Sequence, residues 1–404
     1  MKILTLTTLY PNSEQYRHGI FIENRLLHLI EQYPDVQLKV IAPVPYFPSC
    51  LSFISGLFGS YGKYSKVPLY EQRHGVDIYH PRYLVIPKLG MNLTPYFLYR
   101  SLKKAVKRLV DSGYGFDLID AHYFYPDGVA ATKLANELDK PIIVTARGSD
   151  ITLLATYLKP QEKIKKTLKN ISSGIGVCQA LVDEMKRLQP KHKPLQAIRN
   201  GVDLELFKPS TDRGKLRSKL DFSHFTLLMV GNLVELKGHR LVIKALKKLS
   251  NINLVIIGEG ELRNELEQQV VSEHLQGKVR FIGGLKQSQL PDFYAAADCL
   301  VLASSREGWA NVLLESMACG TPVVATKVWG TPEVVSKPEA GLLIHRDVDS
   351  IVQGIELFMK NDIDRSKTRQ YAQEFSWSAT STAQYELFDE CIAKHNTLGI
   401  KNDR

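Results

Sequence analysis

Five cysteines, odd in number and scattered as Cys50, Cys178, Cys299, Cys319 and Cys391 along 404 residues, exclude a disulfide framework. None stands in a CxxC or Cys/His spacing that would suit zinc. Cys178, Cys299 and Cys319 sit in apolar runs and read as reduced core residues. Long hydrophobic runs are also missing. The nearest, Leu51 to Phe58, is about half the ~18 residues a spanning helix needs. The start, MKILTLTTLYPN, lacks an apolar stretch leading to a small-residue cleavage site, which predicts a cytoplasmic protein rather than a secreted one. Its first strand runs into that turn without a GxGxxG, against a dinucleotide oxidoreductase. No 20–50 residue repeat points to a solenoid, and no low-complexity tract points to disorder.

What is present is the composition of an ordinary globular protein, with 44% apolar and 23% charged residues. The length suits two domains of roughly 150 to 200 residues each. The net charge of +10 is unevenly placed: residues 1 to 200 hold 27 Lys and Arg against 16 Asp and Glu, whereas the rest hold 25 against 26. An excess confined to one half favours an anionic partner there, either a membrane surface or an acidic substrate. Nucleic acid fits less well, because the cations are not interleaved with aromatic platforms.

Short β-branched runs alternate with helical patterns throughout, which predicts parallel sheets covered by helices on both faces. The first half offers strands at Ile3 to Leu9, Leu38 to Val44, Val76 to Pro81, Leu118 to His122, Ile142 to Thr145, Gly174 to Cys178 and Leu195 to Ile198. A second series follows at Thr226 to Val230, Asn253 to Ile257, Val279 to Ile282, Cys299 to Ala303, Val323 to Thr326 and Gly341 to Ile344. The fold class is therefore α/β, with two Rossmann-like doubly wound domains facing across a cleft. The expected boundaries are 1–198 for the first domain and 199–375 for the second. The turn-rich NGVDLELFKPST marks the junction. In such sheets ligands bind outside the carboxyl ends of the strands.

The most informative stretch is Ser304 to Thr326, SSREGWANVLLESMACGTPVVAT. It reads as a turn after a strand, a helix beginning near Trp309 or Ala310, a stop at Gly320, and the next strand. Backbone N–H groups of Trp309, Ala310, Asn311 and Val312 at the positive end of that helix suit a phosphate. Glu307 precedes the helix and Glu315 lies in its second turn. A carboxylate does not suit a diphosphate, but it can accept hydrogen bonds from sugar hydroxyls, one grasping a ribose and the other a transferred sugar. Spacing alone leaves open a solvated helix end with two surface glutamates. Lys237, after a strand, can neutralise phosphate as a point charge, or be an ordinary first-turn lysine. His122 closes a strand, where a satisfied core histidine is the alternative, and Gly19 could simply cap a turn.

EGWANVLLESMACGTPVVAT resembles the E-x7-E donor segment of the family 4 glycosyltransferases, retaining enzymes of the GT-B fold, and in particular those of bacterial surface, teichuronic-type polysaccharides. Other segments match in order: RHGIFIENR with Gly19 at the loop over the phosphates, DAHYFYPDGVA with His122 facing the transferred sugar, RNGVD with Asn200 in the linker, FTLLMVGNLVELKGHRLVIKAL with Lys237 on the diphosphate, and IIGEGEL with Glu259 near the base. The resemblance thus implies catalytic roles for His122, Lys237 and Glu307. It implies donor contacts from Gly19, Arg147, Asn200, Asn232, Glu259, Leu285, Gly308, Trp309, Ala310, Asn311, Val312 and Glu315. Asn232 stands where the family often has Arg, so Lys237 would act with helix N-termini and Arg147. ARGSD places Arg147-Gly148 where many members have His-Gly, and Ala310 replaces a common Pro.

The resemblance implies a nucleotide-diphosphate sugar as co-substrate, no metal (no DxD motif is seen), retention by front-face attack, and a lipid-linked saccharide as acceptor. It also implies that a helix over about 376–395 packs back on the first domain. Pro45 to Tyr64, aromatic and apolar yet studded with Gly, Ser and Pro, suits a loop dipping into a lipid interface or a partly buried loop. Arg100, Lys103, Lys104, Lys107 and Arg108 form a basic helical stripe. This predicts peripheral association with an anionic membrane, though a solvated face would look the same. A sugar-nucleotide epimerase of the same architecture would act without an acceptor, and a non-catalytic protein would bind the sugar nucleotide without turnover.

Overall fold

The computed structural model describes residues 1–46, 62–86, 90–361 and 363–402. Two compact units emerge, Met1–Arg199 with Ser378–Arg404, and Asn200–Trp377. Most of the Pro45 to Tyr64 segment, residues 47–61 with Cys50, lies outside the described residues.

The first unit contains β1 (Lys2–Leu6), β2 (Gln37–Ile41), β3 (Val44–Tyr46), β4 (Tyr70–Arg73), β5 (Val76–Tyr79), β6 (Arg82–Leu84), β7 (Leu118–His122), β8 (Ile142–Ala146), β9 (Ser173–Gly176) and β10 (Leu195–Ala197). Eight of these form one sheet in the order β10-β9-β8-β7-β1-β2-β5-β4. The chain winds one way from β1 and the other way from β7, so the strand order reverses between those two. Strands β7 and β8 are buried along their whole length, as parallel strands covered on both faces should be.

Three details depart from the sequence expectation. The first strand ends at Leu6 rather than Leu9 because the Thr7 hydroxyl accepts the Leu9 amide (3.0 Å) and turns the chain. The run Leu38 to Val44 splits at Pro43, which has no N–H for a ladder; β3 then pairs with β6 in a separate two-stranded sheet. The sheet is not wholly parallel, for β4 pairs antiparallel with β5. The turn between them is His74-Gly75, with φ of 50° and 80°, the backbone twist a tight hairpin needs.

The second unit contains β11 (Phe225–Val230), β12 (Ile252–Ile257), β13 (Val279–Gly283), β14 (Cys299–Leu302), β15 (Val323–Thr326) and β16 (Gly341–Ile344). All pair parallel, in the order β13-β12-β11-β14-β15-β16. This sheet also reverses its winding once, between β11 and β14. Leu227, Val242, Leu254, Val301 and Ile355 meet in its core.

The long C-terminal helix, Trp377–Asn402, returns to the first unit, where Leu387, Phe388 and Cys391 join Ile3, Leu118 and Ile143 in one apolar cluster. Burying a Leu or Phe side chain is worth about 1.5–3 kcal/mol. Arg25, 1% exposed, ties the same helix down: its Nε donates to Gln384 (2.6 Å) and a terminal N–H to the Ile198 carbonyl (3.1 Å).

Candidate active site

In open parallel sheets the crevice for a ligand lies at the carboxyl ends of the strands where the winding reverses. In the second unit that point lies between β11 and β14, and the segments leaving these two strands carry Lys237 and Glu307. A single turn, Glu235–Lys237, ends at Gly238, whose φ is 70°. A Cβ there would fall 2.2 Å from the Ala303 carbonyl oxygen, so only glycine allows the loop to lie against the end of β14. The Ser305 amide donates to the Leu236 carbonyl (2.9 Å), and Arg346 bonds the carbonyls of Ala303 and Glu235 (3.0 and 3.3 Å). Held this way, Lys237 Nζ reaches Glu307 Oε1 at 2.6 Å, and the same oxygen accepts the Ser304 hydroxyl at 2.6 Å. Cation and carboxylate are paired at the switch point, an arrangement the sequence reading, which gave each a separate ligand, did not contain.

The helix after Glu307 spans Asn311–Ala318, a residue or two later than expected. Its end is fixed by Gly320 (φ 76°), whose amide bonds the Met317 carbonyl (2.9 Å) while that of Thr321 bonds Ser316 (2.9 Å). At its start Ala310 is the cap, and its side chain gives the first turn no hydrogen bond. Of the four amides expected to await a phosphate, that of Asn311 is taken by the Trp309 carbonyl (3.2 Å). The Trp309 indole is 8% exposed and packs 6.1 Å from the Phe375 ring, and Ala310 is buried as well. Gly308 and Val312 are half-buried.

Glu315 is 8% exposed. Its Oε2 accepts the Tyr294 hydroxyl (2.7 Å) and its Oε1 the Gln287 amide (3.2 Å). Burial pushes its carboxyl above the usual carboxylate range, against the pull of these two donors. The Gln287 turn follows half-buried Leu285. Glu307 and Glu315 thus have separate sets of partners. Asn200 donates to the Asn311 side chain (3.3 Å), bringing the linker residue to the start of the helix. Asn232 and Glu259 are exposed on two adjoining loops, where the Leu233 amide bonds the Glu259 carbonyl (2.9 Å).

The first sheet reverses between β1 and β7, and its candidate residues gather there. His122, at the end of β7, is fully buried. Arg147 donates to its Nδ1 (2.8 Å), and its Nε2 lies 3.0 Å from Asp120 Oδ2. An accepting Nδ1 puts the ring proton on Nε2, facing the carboxylate. Burial lowers the His122 pKa to about 4, and the nearby Arg147 and Arg25 charges add to this, so the ring is neutral at pH 7 although Asp120 opposes the shift. Burial likewise depresses Arg147 well below the usual guanidinium range; its head stacks 5.4 Å from the Phe21 ring centroid. Gly19, with φ 69°, caps the helix Ile20–Gln32, and a Cβ there would meet the Leu9 carbonyl oxygen at 2.3 Å. Close packing of its own chain is therefore enough to require this glycine.

Several residues of the two groups were not named from sequence. Asp120 carried a legible signal, since residues two apart on a strand share a face and DAH sets Asp120 beside His122. Asp150, three residues beyond Arg147, accepts the amides of Phe124 (2.8 Å), Arg147 (3.1 Å) and Gly148 (2.8 Å), and so pins the loops after β7 and β8 together. Asp127 does the same toward β1, accepting the Thr8 amide at 2.6 Å; burial raises its pKa to about 7. Tyr294, remote in sequence from Glu315, gave no signal. Among the described residues no group of three or more His, Cys, Asp or Glu could hold a metal ion.

Residues 61–206 match the profile "Glycosyltransferase Family 4" and residues 212–375 the profile "Glycosyl transferases group 1". The chain is 27% identical over 402 residues to the putative teichuronic acid biosynthesis glycosyltransferase TuaC of Bacillus subtilis, covering 98% of this chain and 97% of that one. It is also 27% identical over 282 residues to the N-acetyl-alpha-D-glucosaminyl L-malate synthase of Bacillus anthracis, covering 67% of this chain and 73% of that enzyme. Among solved structures, it is similar to sucrose-phosphate synthase from Thermosynechococcus elongatus (TM-score 0.79, 19% identity, 98% of this chain and 100% of that one). Anabaena HepE, solved with UDP and glucose, is another (TM-score 0.72, 21% identity, 96% and 100% covered).

Proposed function

We propose that this chain, a glycosyltransferase of the GT-B fold, moves a sugar with retention from a nucleotide-diphosphate donor to a lipid-linked saccharide in surface polysaccharide synthesis. The observation that carries the donor reading is the meeting of Lys237 and Glu307 at the switch point of the second sheet. As the bond from the anomeric carbon to the diphosphate breaks, negative charge grows on the leaving phosphate. Lys237, drawn from Glu307 when the diphosphate binds, and the start of the helix Asn311–Ala318 are then in place to stabilise that charge electrostatically as the bond breaks. Glu307, released from Lys237 by the diphosphate, accepts hydroxyls of the transferred sugar. Glu315, its orientation set by Tyr294 and Gln287, accepts those of the ribose.

Retention follows if the leaving phosphate guides the acceptor hydroxyl to the same face. His122 serves the transferred sugar by the family resemblance. Held neutral between Arg147 and Asp120, it offers a fixed dipole rather than a proton. A saccharide acceptor on a lipid is supported by the likeness to TuaC, whose name places it in teichuronic acid biosynthesis. The basic stripe Arg100, Lys103, Lys104, Lys107 and Arg108 supports attachment to an anionic membrane from the cytoplasmic side. No helix of the described residues is long and apolar enough to cross a membrane.

A thermal-shift screen of UDP-, GDP- and ADP-sugars tests the donor. A ligand at 100 times its dissociation constant adds about 2.7 kcal/mol to stability, and no shift with any of them would contradict the reading. NMR of the product from the stabilising donor and a polyprenyl-diphosphate saccharide should show the donor's anomeric configuration. Inversion would refute the mechanism. Salt-sensitive sedimentation with anionic liposomes is expected, and its absence would remove the membrane reading.

A further inference from the structure

A second concavity lies in the first unit, away from the His122 group. The helix Val129–Glu137 is short, and on either side of it stand the longer helices Thr94–Asp111 and Leu158–Asn170. The low middle helix leaves a trough of about 570 Å³ between its taller neighbours. One wall is apolar and aromatic, from Pro95, Tyr96 and Tyr99, and the floor is Val129 and Ala130. The opposite wall and the rim carry Lys163, Lys166 and Lys133. Each flanking helix has five Lys or Arg against a single acid. Among the described residues none of the three rim lysines has a carboxylate within ion-pair distance; Lys163 Nζ donates to the Asn92 carbonyl (2.5 Å) and Lys133 Nζ lies 4.1 Å from the Tyr99 ring centroid, contacts that leave their charge unneutralised, while the one acid at the trough, Glu137, is engaged by the Tyr99 hydroxyl (2.5 Å) and Lys103 (2.8 Å).

The three helices run back against parallel strands, so they begin at the carboxyl edge of the sheet, the edge that carries His122 and Arg147. Tyr125, just after β7, donates to the Met91 carbonyl there (2.5 Å). Around these helix starts Leu93, Tyr96, Tyr157 and Leu158 stand exposed, Leu158 by 80%. An apolar rim thus leads from the candidate site's edge into a trough with one greasy wall and one cationic wall. A soluble anion would leave the aromatic wall wet, and a neutral hydrocarbon would leave the ammonium groups without a counter-charge. Only an anionic amphiphile satisfies both.

We propose that this trough binds a long-chain lipid phosphate, with the chain against Tyr96, Tyr99 and Ala130 and the phosphate among Lys133, Lys163 and Lys166. The assignment names the part of the acceptor that anchors it, and in that respect rests on the lipid-linked reading above.

Calorimetric titration of the full-length chain with dodecyl phosphate below its micellar concentration tests it. Saturable one-to-one binding is expected, with none to inorganic phosphate. Asn136→Trp, at an exposed position on the trough floor, should weaken it at least tenfold, and so should the double charge reversal Lys133→Glu/Lys166→Glu. Both variants alter exposed side chains, and an unchanged melting temperature and nucleotide-sugar hydrolysis rate show that the fold is intact. Absence of saturable binding, or binding that neither variant weakens, overturns the proposal. Transfer to a short water-soluble acceptor reports separately on the acceptor reading, since loss of the trough leaves it unchanged.

Discussion

Replacing Glu307 by Gln separates two jobs that the proposed function gives to one carboxylate. In the free protein Glu307 holds Lys237 at 2.6 Å, with side chains 11% and 22% exposed. At that burial the hydrogen-bonded pair is worth about 1.5–3 kcal/mol net. On the proposed function a nucleoside diphosphate draws Lys237 away from Glu307, so the internal carboxylate competes with the ligand for the same ammonium group. Glutamine keeps the size, can still accept the Ser304 hydroxyl, and removes the competing charge. Binding of the nucleoside diphosphate alone should therefore tighten, by up to about tenfold, which is 1.4 kcal/mol. Transfer should fall, because losing hydrogen bonds from sugar hydroxyls to a charged acceptor costs about 1.5–3 kcal/mol, or roughly 10- to 150-fold in rate. Calorimetry with the diphosphate and a turnover assay with its sugar read the two effects separately. Normal turnover, or diphosphate binding weakened tenfold, would refute the reasoning.

Gly238→Ala forces a side chain into a left-handed conformation, costing about 1–2 kcal/mol, and drives its Cβ against the Ala303 carbonyl. Thermal melting should fall by several degrees and nucleotide affinity with it. Tyr294→Phe removes the buried donor to Glu315, which should cost about 1–3 kcal/mol in chemical denaturation and raise KM for the donor more than it lowers kcat. His122 has a folded pKa of about 4 against an ordinary 6.5. The unfolded chain takes up its proton first, so the stability His122 contributes is present above pH 6.5 and lost as pH falls toward 4, by about 3 kcal/mol. His122→Gln should flatten the decline of stability between pH 6.5 and 4. An unchanged slope would mean that the ring is not held neutral; buried His239, also lowered to about 4, supplies part of what remains.

The alternation of β-branched runs with helical patterns was enough to find thirteen strands, because strands covered on both faces are continuous apolar runs. It missed β4, whose YEQR is half exposed, and the three-residue strands β3 and β6, which pair with each other outside the main sheet. Within the candidate site, Lys237 and Glu307 were legible one by one from their places after strands. Their contact was not, since it depends on β14 inserting beside β11, seventy residues away. Gly19 was read as part of a loop over the phosphates or as a turn cap; its close approach to Leu9 could not be read from a helix-start pattern. For Trp309 only the backbone N–H was singled out from the sequence; that its indole is a core side chain against Phe375 depends on a ring sixty-six residues away.

The most direct test is a crystal structure of the chain with the sugar nucleotide that stabilises it most. The account predicts the diphosphate beyond the ends of β11 and β14, one oxygen within hydrogen-bond distance of Lys237 Nζ and another at the Val312 amide, with Glu307 turned to a sugar hydroxyl. A diphosphate bound elsewhere while Lys237 and Glu307 remain paired would contradict it.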